Sequence, residues 1–347
     1  MSSRLLPLFP PDRPVLVLAP MQDVTDLPFW RIMHRYGGPD IYFTEYFRVH
    51  STSRPEDPIV ECIQANPSGR PVIAQMIGQE IPALVRTAKI LQTLPIAAID
   101  LNLGCPAPIV CRKSSGGGML RDLPHIDRVI GALRDAITIP FTIKSRIGFH
   151  EETEFDALLE VYARHAVDAV TIHGRTVKEM YRSHVHYNRI AQAVRHLPCP
   201  VIANGNILSA HIAREVAAST GARGLMIGRG CIRNPWIWDQ AREVFSGKPH
   251  PHPTLRDLRE YIDVLYHGTL PPDFPEKLHV AKMKKYMHFI AQHIDPDNKF
   301  LHGIRRAETA AEFFGLCDTW LGNDTPFNPE TPEGALVNSG NPRADCY

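Results

Sequence analysis

The stretch Pro140-Phe141-Thr142-Ile143-Lys144-Ser145-Arg146-Ile147 decides how the chain folds. Phe141, Ile143 and Ile147 fall on one face of an extended strand, and Thr142, Lys144 and Arg146 on the other. When a sheet closes into a barrel, one face packs on helices and the other lines the interior. The lysine then points inward. Seven further short, β-rich runs surround this one: Val15–Pro20, Asp40–Glu45, Pro71–Ile77, Ala97–Leu103, Ala169–His173, Pro200–Asn204 and Gly224–Gly228. Segments of helical period separate them, at Asp26–Tyr36, Ile81–Leu94, Leu123–Ala136, Glu154–His165, Ile190–His196 and Ser209–Ser219, with a weaker one at Glu56–Gln64.

Strands alternating with helices imply parallel pairing through right-handed crossovers. Eight such units within about 250 residues fit a TIM (β/α)8 barrel. An open dinucleotide-binding sheet would carry G-x-G-x-x-G after its first strand, and none follows Val15–Pro20. Residues 1–250 are therefore expected to form the barrel. Beyond Pro251 and Pro253 the strands stop, and helical patterns at Thr254–His267, Glu276–His293 and Arg305–Leu316 predict a small all-helical domain over 251–317. Residues 318–347, rich in Pro, Asn, Gly and Glu from about Gly322, read as a disordered tail.

Composition narrows the classes. A hydrophobic fraction of 44% with 22% charged residues is that of a globular protein able to bury a core. No apolar run approaches the roughly 20 residues of a membrane span, and prolines 7, 10, 11 and 14 spoil the N-terminus as a signal peptide. Seven cysteines without a C-x-x-C pair read as reduced thiols of a cytoplasmic protein. With 38 Lys and Arg against 37 Asp and Glu, any nucleic-acid surface has to be a local patch. No metal site and no protein partner is implied, and the chain is expected to be a monomer.

The strand alternation also locates a site. Gln75, Asn102, Lys144, His173 and Asn204 come from five different strands and converge near the C-terminal mouth, with Asp100, Thr142 and Thr171 also inward. Burying so many polar groups is costly without partners, and a bound polar ligand satisfies them together. The last two strands end in Asn204-Gly205-Asn206 and Gly228-Arg229-Gly230, where barrels hold phosphate on loop N–H groups and where Arg229 can add a charged donor. Cys105, on the loop after Asn102, is placed to reach that ligand; Cys111 on the same loop makes a poor metal site with it. Glu45, Asp100 and Arg146 read as supporting residues, and Trp30, Trp236 and Trp238 as packing.

These residues resemble the tRNA dihydrouridine synthases. The matching motifs are Ala19-Pro20-Met21, Val24-Thr25-Asp26, Thr44-Glu45 and Asp100-Leu101-Asn102-Leu103-Gly104-Cys105-Pro106. They continue through Gly116-Gly117-Gly118-Met119-Leu120, Lys144-Ser145-Arg146, Ile172-His173-Gly174-Arg175-Thr176, Ile202-Ala203-Asn204-Gly205 and Met226-Ile227-Gly228-Arg229-Gly230. The resemblance implies FMN on Pro20, Met21, Gln22, Gln75, Lys144, His173, Asn204, Gly205, Asn206, Gly228 and Arg229, a set that Asn102 joins from the strand pattern. It implies hydride delivery to C6 of a tRNA uracil, a proton to C5 from Cys105, stabilisation of the flavin's charge by Lys144, and NADPH as reductant. It also makes the helical segment an RNA-binding domain, with Arg175, Lys282, Lys284, Lys285, Arg305 and Arg306 as candidate contacts. Gln22-Asp23, Asn206 and Val177-Lys178-Glu179-Met180-Tyr181-Arg182 depart from the usual family pattern. The stretch Thr44-Glu45-Tyr46-Phe47-Arg48-Val49 resembles the branch that modifies uridine 16. Three other readings share some of these features: an FMN enzyme acting on free dihydroorotate, an aldolase using Lys144 as a Schiff-base amine, and a non-catalytic RNA-binding module.

Overall fold

Eight parallel strand positions ring a closed interior in the computed structural model, which describes residues 4–250 and 252–328. In chain order the strands are β1 (Val15–Leu18), β2 (Tyr42–Phe43), β3 (Phe47–Arg48), β4 (Val72–Ile77), β5 (Ala98–Leu103), β6 (Phe141–Arg146), β7 (Ala169–His173), β8 (Val201–Asn204) and β9 (Gly224–Ile227). Each pairs in parallel with its neighbour from β4 to β9, and β9 returns to β1. The Val17–Ile41 bridge, with Leu18 N–H donating to Ile41 O at 3.0 Å, shuts the ring. The TIM-barrel architecture is the one expected from the sequence.

The run expected as one second strand, Asp40–Glu45, is instead two short pieces, β2 and β3, both paired with β4. Phe43 lies opposite Ile73 and Phe47 opposite Met76, so the second position carries one residue more than its partner, as a bulge does. The Thr44 hydroxyl takes up the displaced ladder bond, accepting from Gln75 N–H at 3.1 Å. The bulge turns Glu45 back toward the first loop, where its carboxylate accepts from Val24 N–H at 3.1 Å.

Strand alternation divides the core in two. Outward residues such as Leu16, Met76, Leu101, Ile143, Ile172 and Leu225 join the helices in one large apolar cluster. Inward residues at the N-terminal end, Val15, Val17, Ile41, Ile73, Ala98, Ala169, Ile202 and Met226, form a second, which Leu5 and Phe9 plug from below. The barrel floor is thus dry. Polar side chains inside can only stand above it.

The helices between strands match the expected ones to within a few residues, for example Leu27–Arg35, capped by Asp26, and Leu123–Ala136. Beyond the barrel, helices at Leu255–Gly268, Glu276–Ile290, Lys299–Arg306 and Ala310–Leu321 replace the three expected. The single helix expected over Arg305–Leu316 is corrected to two, because Ala307 is extended and Thr309 with Glu312 forms a capping box that starts a new helix. The tail expected from 318 is ordered as far as it is described. Helix Ala310–Leu321 runs into it, Leu255 N–H donates to Thr325 O at 2.9 Å, and Phe327 is buried. Residues 329–347 lie outside the described residues.

Arg233 ties this helical segment to the barrel. It is buried, and its guanidinium donates to the carbonyls of Phe289, Ile290 and Gln292 at 3.3, 2.9 and 2.7 Å, covering the C-terminal end of helix Glu276–Ile290. Those carbonyls have no helical partner, and an unsatisfied buried polar group costs about 1–3 kcal/mol. Arg233→Ala is expected to lower unfolding free energy by about 2–4 kcal/mol in urea titrations.

Candidate functional site

The floor of the mouth is a hydrogen-bonded relay spanning three strands. Thr142 Oγ1 donates to Asp100 Oδ1 at 2.6 Å, and Gln75 Nε2 donates to Asp100 Oδ2 at 2.8 Å. Asn102 Nδ2 donates to Gln75 Oε1 at 2.8 Å, and Asn102 Oδ1 accepts the N–H groups of Gly104 and Cys105, both at 2.9 Å. This chain fixes the start of the Cys105 loop. Burial pushes the Asp100 carboxyl up to about 7, against the pull of its hydrogen bonds and of Lys144.

On the other side of the mouth the register sets Asn102 beside Lys144 and His173 beside Asn204. Lys144 Nζ donates to Asn204 Oδ1 at 3.2 Å, and Asn204 Nδ2 donates to Met226 O at 2.9 Å. Burial, then Arg146, depress the Lys144 ammonium from its ordinary 10.5 to about 8. His173 is held well below its usual value by burial and by the cations Arg146, Lys144, Arg175 and Arg229, so its imidazole is neutral.

A cleft opens between this group and the last two strand ends. Its lining includes Pro20, Met21, Lys144, His173, Asn204, Gly205, Asn206, Gly228 and Arg229, nine of the twelve positions expected to hold a cofactor. Gln75 and Asn102 lie beneath the lining, their amides used by the relay. Gln22, next to Met21 in the chain, is not among the lining residues, and its buried Oε1 has no partner. Gly205 sits at φ +126° with Val185 and His173 packed where a Cβ would be. Asn206 follows at φ +45°, and its Oδ1 accepts from Arg175 and Arg229, each at 3.3 Å.

One residue that the strand pattern left out, Tyr181, belongs here beside Arg146, which the pattern had turned inward. Tyr181 lines the cleft with the guanidinium of Arg229 4.7 Å from its ring centre and that of Arg146 5.2 Å away. Arg146 itself is buried, and it holds Gly104 O, Thr176 O and Met180 O at 2.9, 2.8 and 2.7 Å, joining the Cys105 loop to the loop after β7. Nothing in periodicity flags Tyr181. The left-handed turn at Met180, φ +52°, swings it over the cleft.

Arg175 was expected to meet RNA. It is fully buried, and its guanidinium binds Ser183 O and Asn206 inside the mouth. Lys282 is half-buried and reaches toward Asp26, 3.7 Å away, so it packs the helical segment onto the barrel. Lys285, Arg305 and Arg306 are exposed, and Lys284 is half-buried.

Among its lining residues the cleft has Lys144, His173 and Arg229 but no carboxylate. A buried ammonium with a single amide partner and a depressed pKa destabilises the empty protein. Lys144→Met is therefore expected to stabilise that form at pH 7 by about 2–3 kcal/mol. The advantage should be full below about pH 8 and shrink as pH rises toward 10.5, where the lysine is neutral folded or unfolded. Thermal melts of both proteins from pH 6 to 10 check this; an advantage that persists at pH 10 assigns the effect to packing.

A model of the family described as Dihydrouridine synthase (Dus) matches residues 17–318. The probable tRNA-dihydrouridine synthase of Rhodobacter capsulatus is 33% identical over 262 residues, covering 75% of this chain and 80% of that protein. That of Helicobacter pylori is 32% identical, over 80% of this chain and 83% of its own. The tRNA-dihydrouridine synthase B of Pseudomonas syringae pv. tomato is 32% identical, over 68% of this chain and 70% of its own. Among solved structures, the histamine dehydrogenase of Rhizobium sp. 4-9 superposes with a TM-score of 0.51 at 13% identity, over 74% of this chain and 49% of that one, a likeness of fold alone. The family match over most of the chain and the relatives above 30% identity agree: this chain belongs to the dihydrouridine synthase family.

Proposed function

We propose that this protein reduces uridines of tRNA to 5,6-dihydrouridine, with FMN in the cleft and NADPH as reductant. The observation that carries the reading is the cleft's donor set, Lys144, His173, Arg229 and the two glycine turns. Such a set fits a phosphorylated, electron-rich ring, and the fit is supported by the partnerless Gln22 Oε1. The turns at Gly205-Asn206 and Gly228-Arg229 would take the phosphate, and Lys144 with His173 the polar edge of the ring. FMN bound there supplies a hydride for C6 of the uracil.

The chain's own residues do the rest. Asn102 accepts the N–H groups of Gly104 and Cys105, so the thiol stays where the relay puts it and can deliver a proton to C5 of the base. Lys144 stabilises negative charge as it develops on the ring side of the cleft, with an effect enlarged by exclusion of water. The uridine must leave any stack to reach this depth. Exposed Lys285, Arg305 and Arg306 on the helical segment, with half-buried Lys284, would hold phosphates while it does. Residues 251–317 act as the RNA-binding unit and residues 1–250 as the catalytic one, in a monomeric cytoplasmic enzyme.

Purified protein is expected to be yellow and to form dihydrouridine in unmodified tRNA when NADPH is supplied. Cys105→Ala should keep its flavin absorbance and turn over about 10²–10⁴-fold more slowly, the usual worth of a positioned general acid. A fully active variant removes the acid role from Cys105. A colourless wild type, with no gain on adding FMN, removes the flavin reading.

A further inference from the structure

Cys105 does not stand alone on its loop. Cys111, in the short helix Pro108–Arg112, aims its Sγ back at the Cys105 backbone, donating to Cys105 O at 3.6 Å. The loop is folded tightly enough to hold them so. Gly117 N–H donates to Cys105 O at 3.0 Å, and a Cβ at Gly118 would stand 2.6 Å from Cys111 Cα. Arg121 anchors the same turn through Cys111 O at 2.7 Å. Of the two thiols, Cys105 is partly buried and Cys111 is buried.

We propose that Cys105 and Cys111 form a reversible disulfide that shields the Cys105 thiol from irreversible oxidation. A hydroperoxide reaches the more exposed sulfur first. The Cys105 thiolate attacks the peroxide oxygen, the O–O bond breaks, and the products are a Cys105 sulfenic acid and hydroxide or alkoxide. Cys111 then attacks the Cys105 sulfur as a thiolate. The S–O bond breaks, water leaves with the proton lost from Cys111, and the two thiols together have given two electrons to the peroxide. Burial pushes the Cys111 thiol upward, which keeps it from reacting first. The Cys111 sulfur already stands 3.6 Å from the Cys105 carbonyl oxygen, so the two residues are neighbours before any oxidation. The sequence gap of six residues gives a small ring, as suits a bond made and broken in place. The chemistry does not depend on the proposed reaction, although closure would silence the acid assigned to it.

Cleavage after Lys89 and Arg112 releases both sulfurs in one peptide, residues 90–112, which has no methionine to confuse the mass. Full-length protein is treated with hydrogen peroxide at the dose that oxidises Cys105 in Cys111→Ser, then alkylated and digested. The wild-type peptide is expected to be unalkylated, lighter by two hydrogens, and restored by dithiothreitol. In Cys111→Ser the same dose should add oxygens to Cys105 that dithiothreitol does not remove. A wild-type peptide carrying oxygen on Cys105, or both thiols alkylated, overturns the proposal. Neither result bears on whether the reduced enzyme makes dihydrouridine, so the two readings fail separately.

Discussion

Closing a parallel sheet leaves half of every strand's side chains in a space without water, and each polar atom there must find its partner on another strand. In this barrel the requirement is met first by omission: the lower interior is wholly apolar, sealed by Leu5 and Phe9. Above it, the chain Thr142–Asp100–Gln75–Asn102 satisfies itself across three strands and ends on two backbone N–H groups. Because each amide uses both of its ends, no member can turn without leaving a neighbour unsatisfied. The Cys105 loop therefore starts from a fixed point, and the bulge that sends the Thr44 hydroxyl to Gln75 N–H is part of the same accounting.

The opposite side of the mouth breaks that rule. Lys144, Arg146, Arg175 and Arg229 crowd around a neutral His173, and among the cleft's lining residues no carboxylate balances them. Two of the guanidiniums settle on backbone carbonyls, and Tyr181 offers its ring to Arg146 and Arg229. Among the described residues, Lys144 has only the Asn204 amide. A protein optimised for stability alone would not keep an ammonium there, whereas one that binds an anionic ring gains in the complex what it loses without it.

How much of this was legible depended on the range of the signal. Strand alternation has a period of two and needs no partner to be read, so the inward placement of Lys144, Asn102, Asp100 and Gln75 followed from the sequence. What those side chains would touch did not follow. Gln75 and Asn102 were expected on a ligand and are taken by each other, because register between β4 and β5 is a property of pairing. Arg175 was read as a candidate RNA contact, yet the loop after β7 folds over it, and its guanidinium settles on the carbonyl of Ser183 and on Asn206. Tyr181 escaped because a positive φ at Met180 positions it. The second start in the C-terminal helices could have been read, since Thr309-x-x-Glu312 is an N-terminal signature.

The same contrast explains how the helical segment is held against the cleft. A linker such as residues 246–254 fixes a tether length, not an orientation. Orientation comes from Arg229 and Arg233, which end one five-residue helix and face in different directions. Arg229 turns to Asn206 and Tyr181 at the cleft, and Arg233 to the last carbonyls of helix Glu276–Ile290. From one arginine to the other is a single helical turn, so little slack separates the glycine turn at 228 from the exposed cations of the C-terminal helices. A shift of that segment must break the Arg233 bonds or carry the turn with it. The geometry of the cleft and the seating of the helices are in this way one constraint.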